Sequence, residues 1–290
     1  MAIKTTLYTD SACPWAYSAT PWITTLRWRY RDQLDWRLVM IGLREETASQ
    51  ERNGYTPARQ AIGSRRFRDR YGMPFTAAPR ARLVATGRAC RAIVATRLAH
   101  PGREFAVQRA LAFAWFTTSA LLDEDAALRD VLATVGGVDA DAVIAAVDSP
   151  AVAEAYAADL AEARSAGGGP TELQGKAAVS DGQVRFTAPS LVFEDGERRL
   201  EAGGFQPLEA YDVLIANLDP TLERHLPPDG PAELLARFPD GLCTQEVATA
   251  LAGNLVDVDR AAAEDALLAL VAEGAATREA LGDDALWRAA

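Results

Sequence analysis

Along the first forty residues the period of the apolar positions changes twice. Residues 3–9 (IKTTLYT) are rich in β-formers, Asp10 to Pro14 break the pattern, and Trp15 to Tyr30 carries apolar residues at helical spacing. Trp36 to Leu43 (WRLVMIGL) is then an almost wholly apolar run of strand length. A strand, a helix and a second, buried strand predict a βαβ unit. Residues 44–78 hold Gly54, Pro57, Gly63, Gly72 and Pro74 at intervals and read as irregular chain with short helices. From Pro79 to about Arg164 the pattern is helical almost throughout, with stops at His100-Pro101-Gly102 and Gly136-Gly137. Gly167 to Pro170 ends this stretch, and Thr171 to Ala178 reads as a short helix or loop. Ser190–Glu194 and Arg198–Ala202 flank Asp195-Gly196-Glu197, a hairpin signal with a tight turn. An amphipathic helix over Gln206 to Leu218 follows Gly203-Gly204. Beyond a link carrying Pro227, Pro228 and Pro231, helices are expected near 244–252 and 259–273, with a short hairpin around Gly282-Asp283-Asp284. The chain thus divides into the first half of an α/β domain (1–78), a helical insertion (79–166), the second half of that domain (167–218) and a C-terminal module (219–290).

Composition fits this picture and narrows it. Over 290 residues, 49% are apolar and 24% charged, close to the average of soluble globular proteins, so a sizeable core is expected and wholesale disorder is not. No apolar run approaches the ~20 residues of a membrane span. The start, MAIKTTLYTD, has no basic region followed by an apolar stretch and a cleavage site, so a cytoplasmic protein is expected. Cys13, Cys90 and Cys243 are too few and too scattered for a disulfide framework or a zinc cluster, and with only His100 and His225 no metal is expected. Charge is divided unevenly: residues 1–110 carry net +11 and residues 111–290 net −21. Either the two halves pack on each other or the first lines a pocket for an anionic ligand. The overall −10 disfavours nucleic acid as a partner.

One cysteine stands where chemistry is expected. Cys13 lies between the first strand and a helix whose first turn holds Pro14, the residue best suited to that position. There the helix dipole and free backbone N–H groups are expected to lower the thiol's pKa and make it a nucleophile. The alternative is a small buried apolar residue. Trp15, in the same turn, either walls a substrate site or packs inward. Trp22 and Trp28, further along the helix, read as core.

The strand, the Cys13-Pro14-Trp15 turn, the helical insertion and the Pro directly before the third strand (Thr187-Ala188-Pro189-Ser190-Leu191-Val192-Phe193) resemble the DsbA family of thioredoxin-fold proteins. The resemblance covers about residues 3–218 and is nearest to the branch of FrnE-like dithiol oxidoreductases, mycothiol-dependent nitroreductases, 2-hydroxychromene-2-carboxylate isomerases and kappa-class glutathione transferases. It implies a thioredoxin-like α/β fold with a large helical insertion, Cys13 as attacking thiol and Ala188-Pro189 as a cis peptide beside it. It implies further a low-molecular-weight thiol, mycothiol or glutathione, as cofactor, held at Pro14, Trp15 and Ala188. Arg88, with Arg82 and Arg91, is a candidate for its carboxylates. Arginine in place of lysine and abundant alanine point to a GC-rich bacterial coding sequence, in which mycothiol replaces glutathione in some lineages.

The chain departs from the dithiol pattern at Ala16, where the second cysteine of a CxxC would stand. Cys13 can still attack a small-molecule or protein disulfide, leaving a mixed disulfide that another thiol must resolve. Three readings stay open: a monothiol oxidoreductase, an isomerase or transferase in which Cys13 holds the cofactor sulfur, and a non-catalytic redox sensor. Cys90 is a candidate resolving thiol or a packed helix residue, and Cys243 reads as structural. His100 reads as a helix-end residue, His225 as solvated, and Arg65, Arg66, Arg68 and Arg70 as a solvated basic face close to the cleft. The tail from Leu242 to Trp287 resembles a winged helix-turn-helix. Residues 221–290 carry net −8, which opposes phosphate binding and favours a packing or dimerising role.

Overall fold

The computed structural model describes residues 2–290. Strand β1 (Ile3–Thr9) leads through a turn into α1 (Pro14–Ser18) and α2 (Thr20–Tyr30), and β2 (Leu34–Met40) returns parallel to β1 in the register Ile3 opposite Leu34 through Thr9 opposite Met40. The apolar run beyond Met40 does not extend the strand. Gly42 turns the chain away at φ +59, with Tyr156 and Leu160 filling the space a side chain would need. Residues 44–78, expected to be irregular with short helices, contain the short α3 (Ala48–Arg52) and, beyond that expectation, a long helix, α4 (Pro57–Tyr71). The Thr56 hydroxyl accepts from the Arg59 N–H at 3.2 Å, Pro57 occupies the first turn, and Gly72 closes α4 in the left-handed region at φ +74. Few apolar residues mark this helix because none of its side chains is fully buried.

The insertion is five helices, α5 (Gly87–Ala99), α6 (Glu104–Thr117), α7 (Asp125–Leu132), α8 (Ala140–Ala146) and α9 (Pro150–Ala163), so residues 79–86 lie outside the helical stretch expected of them. Asp159 of α9 ties it to the sheet, accepting from the Met40 amide at 2.9 Å and from both ends of the Arg97 guanidinium. The chain then forms α10 (Pro170–Leu173) and a hairpin, β3 (Ala177–Ser180) and β4 (Gln183–Phe186), that the apolar pattern did not indicate. Its turn is Asp181-Gly182, both at positive φ, the arrangement of a two-residue hairpin loop. The expected second hairpin is present as β5 (Ser190–Glu194) and β6 (Arg199–Ala202), followed by α11 (Leu208–Leu218). The four-stranded sheet runs β2-β1-β5-β6, with β5 and β6 antiparallel to their neighbours. β1 is buried on both faces, as a central strand covered by helices must be.

The tail opens with α12 (Pro231–Arg237), where a link was expected. Pro231 is the first helical residue, a position that needs no N–H donor. There follow β7 (Leu242–Cys243), α13 (Thr244–Leu251), α14 (Arg260–Ala272), β8 (Ala276–Leu281) and β9 (Asp284–Ala289), with sheet order β7-β9-β8. Its core of Leu234, Val247, Leu267 and Trp287 also takes in Trp28 from α2. Glu246, wholly buried on α13, accepts from the Arg109 guanidinium, the Thr24 hydroxyl and the Cys243 amide, which locks the tail onto α2 and α6.

Candidate active site

The parallel ends of β1 and β2 define the edge where the Cys13 turn sits. Cys13 caps α1 in extended conformation, and its amide donates to the Asp10 carbonyl at 3.1 Å. The Asp10 carboxylate gathers the surroundings. One oxygen accepts from the Ala12 amide at 2.9 Å, the other from the Leu43 amide at 2.9 Å, the Thr86 hydroxyl at 3.0 Å and the Cys90 thiol at 3.5 Å. The turn carrying Cys13, the loop leaving β2 and the start of α5 are therefore joined through one buried side chain.

Across the site, the Cys13 thiol donates to the Ala188 carbonyl at 3.2 Å, and the Ala188–Pro189 peptide is cis. The Ser190 hydroxyl donates to the Thr187 carbonyl and accepts from the Gly204 amide, holding this turn against the chain leading to α11. Phe205 thereby stands in edge contact with Trp15, whose other neighbours are Phe67 and Tyr71 of α4. Trp15 is 43% exposed, so an aromatic surface opens beside a thiol that is itself only 6% exposed.

Burial reverses the expected ionisation of that thiol. Cys13 lies in an apolar cluster with Ala16, Ile41, Phe186 and Ala188, and loss of water around it pushes its pKa up to about 11. The Ala16 and Trp15 amides at the start of α1 pull the other way, and the Asp10 charge adds to the rise. The low pKa read from the sequence is thus corrected: α1 has five residues and little dipole, too little to offset burial. Cys90 and Cys243 are buried completely, and burial raises both thiols well above the ordinary range.

Of the site residues read from the sequence, Cys13, Pro14, Trp15, Ala188 and Pro189 come together. Arg88 does not join them as a free cation. It pairs with Asp125 and with Asp148 at 3.1 Å, and the other two candidates are likewise engaged, Arg82 with Asp123 and Glu124, Arg91 with Glu45. All three arginines complete ion pairs, two of them within the insertion. Cys243 caps α13 through its position at the end of β7, and His100 ends α5 while accepting from the Asp139 amide at 3.2 Å. Sequence reasoning passed over Asp10, Arg44, Thr86, Arg185 and Phe205. Only Asp10, three residues before Cys13, is marked locally; the others are brought in by tertiary folding. A cleft of about 560 Å³ lies between the insertion and the tail and is lined by none of these residues. Among the described residues no group of three or more His, Cys, Asp or Glu side chains is arranged to hold a metal ion, and no helix is long and apolar enough to cross a membrane.

The model of the DSBA-like thioredoxin domain matches residues 5–185, more than half of the chain, and the chain belongs to that family of thiol-dependent oxidoreductases. A probable DsbA oxidoreductase from Streptomyces coelicolor is similar in structure at 18% identity and a TM-score of 0.57, covering 78% of this chain and 93% of that one. The cytosolic disulfide reductase DsbM from Pseudomonas aeruginosa is similar at 16% identity and a TM-score of 0.53, over 74% of this chain and 98% of its own. The same protein with GSH gives 17% identity and a TM-score of 0.51, with 74% of this chain and 98% of that one covered. At these identities the likeness is one of fold. No curated protein matches the chain.

Proposed function

We propose that the chain exchanges disulfides with a low-molecular-weight thiol, glutathione or mycothiol, through Cys13 alone. The observation that carries this reading is Ala16, buried where a second thiol would stand, together with the complete burial of Cys90 and Cys243. In the first step the Cys13 sulfur attacks one sulfur of a small-molecule or protein disulfide. A bond forms between them, and the other half leaves as a thiolate that takes up a proton. In the second step an external thiolate attacks the mixed disulfide, forms a new disulfide with the bound half and returns Cys13 with its electron pair. Pro14 and Trp15 on one side and Ala188 and Pro189 on the other frame the sulfur, and the Trp15 surface receives the apolar part of the substrate.

The test is intact mass after exposure to oxidised glutathione or oxidised mycothiol. The expected result is a gain of one thiol mass that reduced thiol removes and Cys13→Ser abolishes. A Cys13–Cys90 linkage in place of the adduct, or an adduct that survives in Cys13→Ser, would overturn the monothiol reading.

A second reading rests on the thiol's hydrogen bond to Ala188. A Cys13 that stays protonated is a donor, and turning its one S–H from the Ala188 carbonyl to the sulfur of a bound thiolate would hold that thiolate in an isomerase or transferase without exchanging with it. Full turnover with reduced thiol in Cys13→Ser would select it, because a hydroxyl also donates but cannot exchange disulfides. Absence of any turnover would favour a redox sensor. The proposed setting is the cytoplasm, and the tail is read as a winged-helix-like packing module, able to form a homodimer contact, rather than a nucleic-acid binder.

A further inference from the structure

Among the described residues Arg44, beside the loop bound to Asp10, is a cation without a counter-ion. It follows directly on Leu43, whose amide is bound to Asp10, and its own amide donates to the Thr86 hydroxyl at 3.1 Å, while the Thr86 and Gly87 amides donate to its carbonyl. Its guanidinium carbon lies 5.3 Å from the centre of the Trp115 ring, and Arg80 stacks on the same indole at 4.7 Å. Trp115 and the Thr86 bonds therefore fix where the fork points. Two of its nitrogens, Nε and Nη2, are shut off from solvent with no hydrogen-bond partner among the described residues.

The carboxylates nearby are committed elsewhere. Glu45, the next residue, accepts from Tyr156 and pairs with Arg91 at 2.9 Å. Asp10 is filled by the four donors already described. Arg185 of β4, next to Phe186 of the apolar cluster around Cys13, donates to the Ser180 hydroxyl and the Phe186 carbonyl and pairs with no carboxylate among the described residues. Burial lowers the pKa of both guanidiniums below the ordinary arginine value, and both feel Cys13 and Asp10 as charges that counter this. A desolvated guanidinium with two vacant donors is costly unless an anion completes it. Most arginines of this chain that are as enclosed have a carboxylate or carbonyl in place.

We propose that Arg44, with Arg185, binds a carboxylate of the thiol that reacts at Cys13, so that the partner is a carboxylate-bearing thiol of the glutathione type and not a neutral one such as mycothiol. This deepens the exchange reading and rests on it. Arg44 acts by positioning and attracting the partner, while the bonds made and broken remain those at sulfur.

The experiment compares two disulfides, oxidised glutathione, which carries carboxylates, and bis(2-hydroxyethyl) disulfide, which is neutral, by the rate of adduct formation on Cys13. In Arg44→Gln the rate with oxidised glutathione should fall about ten-fold relative to the rate with the neutral disulfide, the scale of one charge-assisted hydrogen bond, since any change in the Cys13 thiolate fraction slows both alike. Arg44→Lys should recover part of the loss, and added salt should narrow the difference. Equal losses with both disulfides, or no loss with either, would overturn the proposal. A parallel series on the same variants uses iodoacetate and iodoacetamide, whose rate ratio at one pH cancels any change in thiolate fraction. A ratio that falls in Arg44→Gln supports the anion site even if neither disulfide forms an adduct in the wild type, a result that would sink the exchange reading alone. A ratio that does not move in such a protein overturns both.

Discussion

The turn that presents Cys13 gives it helix amides on one side and an apolar wall on the other, and the wall decides its ionisation. With the pKa pushed up to about 11, the thiolate fraction keeps growing through the alkaline range. Alkylation of Cys13 by iodoacetamide, followed by peptide mass, should rise about ten-fold per pH unit from pH 8 to pH 10, where an ordinary thiol of pKa ~8.5 has already levelled off. A plateau near pH 9 would contradict it. Cys90 and Cys243 should stay unmodified until the chain unfolds. The same shifts bear on stability. A thiol that holds its proton more tightly folded than unfolded contributes stability that is complete below its unfolded pKa and lost as pH climbs toward the folded value. Denaturant midpoints should therefore fall between about pH 9 and pH 11, and fall less steeply in Cys13→Ser. The place of Cys13 and its cis-proline neighbour was legible from Pro14 and Pro189. Its enclosure was not, because the wall is assembled from Ile41, Ala163, Phe186 and Val192, far apart in sequence.

Element by element, the docking of α13 depends on one ion pair. Burial pushes the Glu246 carboxyl up, but the Arg109 guanidinium more than reverses this and holds it below the usual carboxylate range. Glu246→Ala leaves Arg109 enclosed without its partner and should cost roughly 3–5 kcal/mol in urea unfolding, whereas the double change Arg109→Met with Glu246→Leu should restore most of that. A loss under about 1 kcal/mol in the single variant would mean that water reaches the pair and this account of the docking is wrong. Elements with strong periodicity or clear turn residues, such as β1, the β5–β6 hairpin, α13 and α14, were readable in advance. The β3–β4 hairpin was not, since its strands are four residues each and half-exposed, so that only the Asp181-Gly182 turn marked it. α12 was hidden by the proline density that actually starts it, and α4 by an arginine-rich face that buries nothing fully.

At the scale of the whole molecule, the tail shares its interior with the catalytic half. Trp28 of α2 belongs to the tail's core, its indole donating to the Leu226 carbonyl at 2.8 Å, and the Phe75 amide donates to Asp283 at 3.0 Å. Cutting the chain before residue 219 would uncover Trp28 and strip Arg109 of Glu246. The truncated chain should therefore unfold at least several degrees lower and bind a hydrophobic dye, as judged by thermal scans and dye fluorescence. A truncated form with unchanged melting temperature would show instead that the tail is an independent appendage.

The pairing of β1 with both β2 and β5 carries a consequence for synthesis on the ribosome. β2 emerges some 25 residues after β1, but β5, which places Ala188 over the sulfur, comes about 180 residues later. At roughly 5–20 residues per second that interval lasts on the order of 10–35 s. Throughout it the nascent chain has its strand, its turn and its thiol without the lid, so Cys13 meets cellular oxidants and electrophiles bare. Pulse alkylation during refolding should catch Cys13 open until the final, long-range step and closed only after it, which makes the newborn protein the form most open to chemical damage.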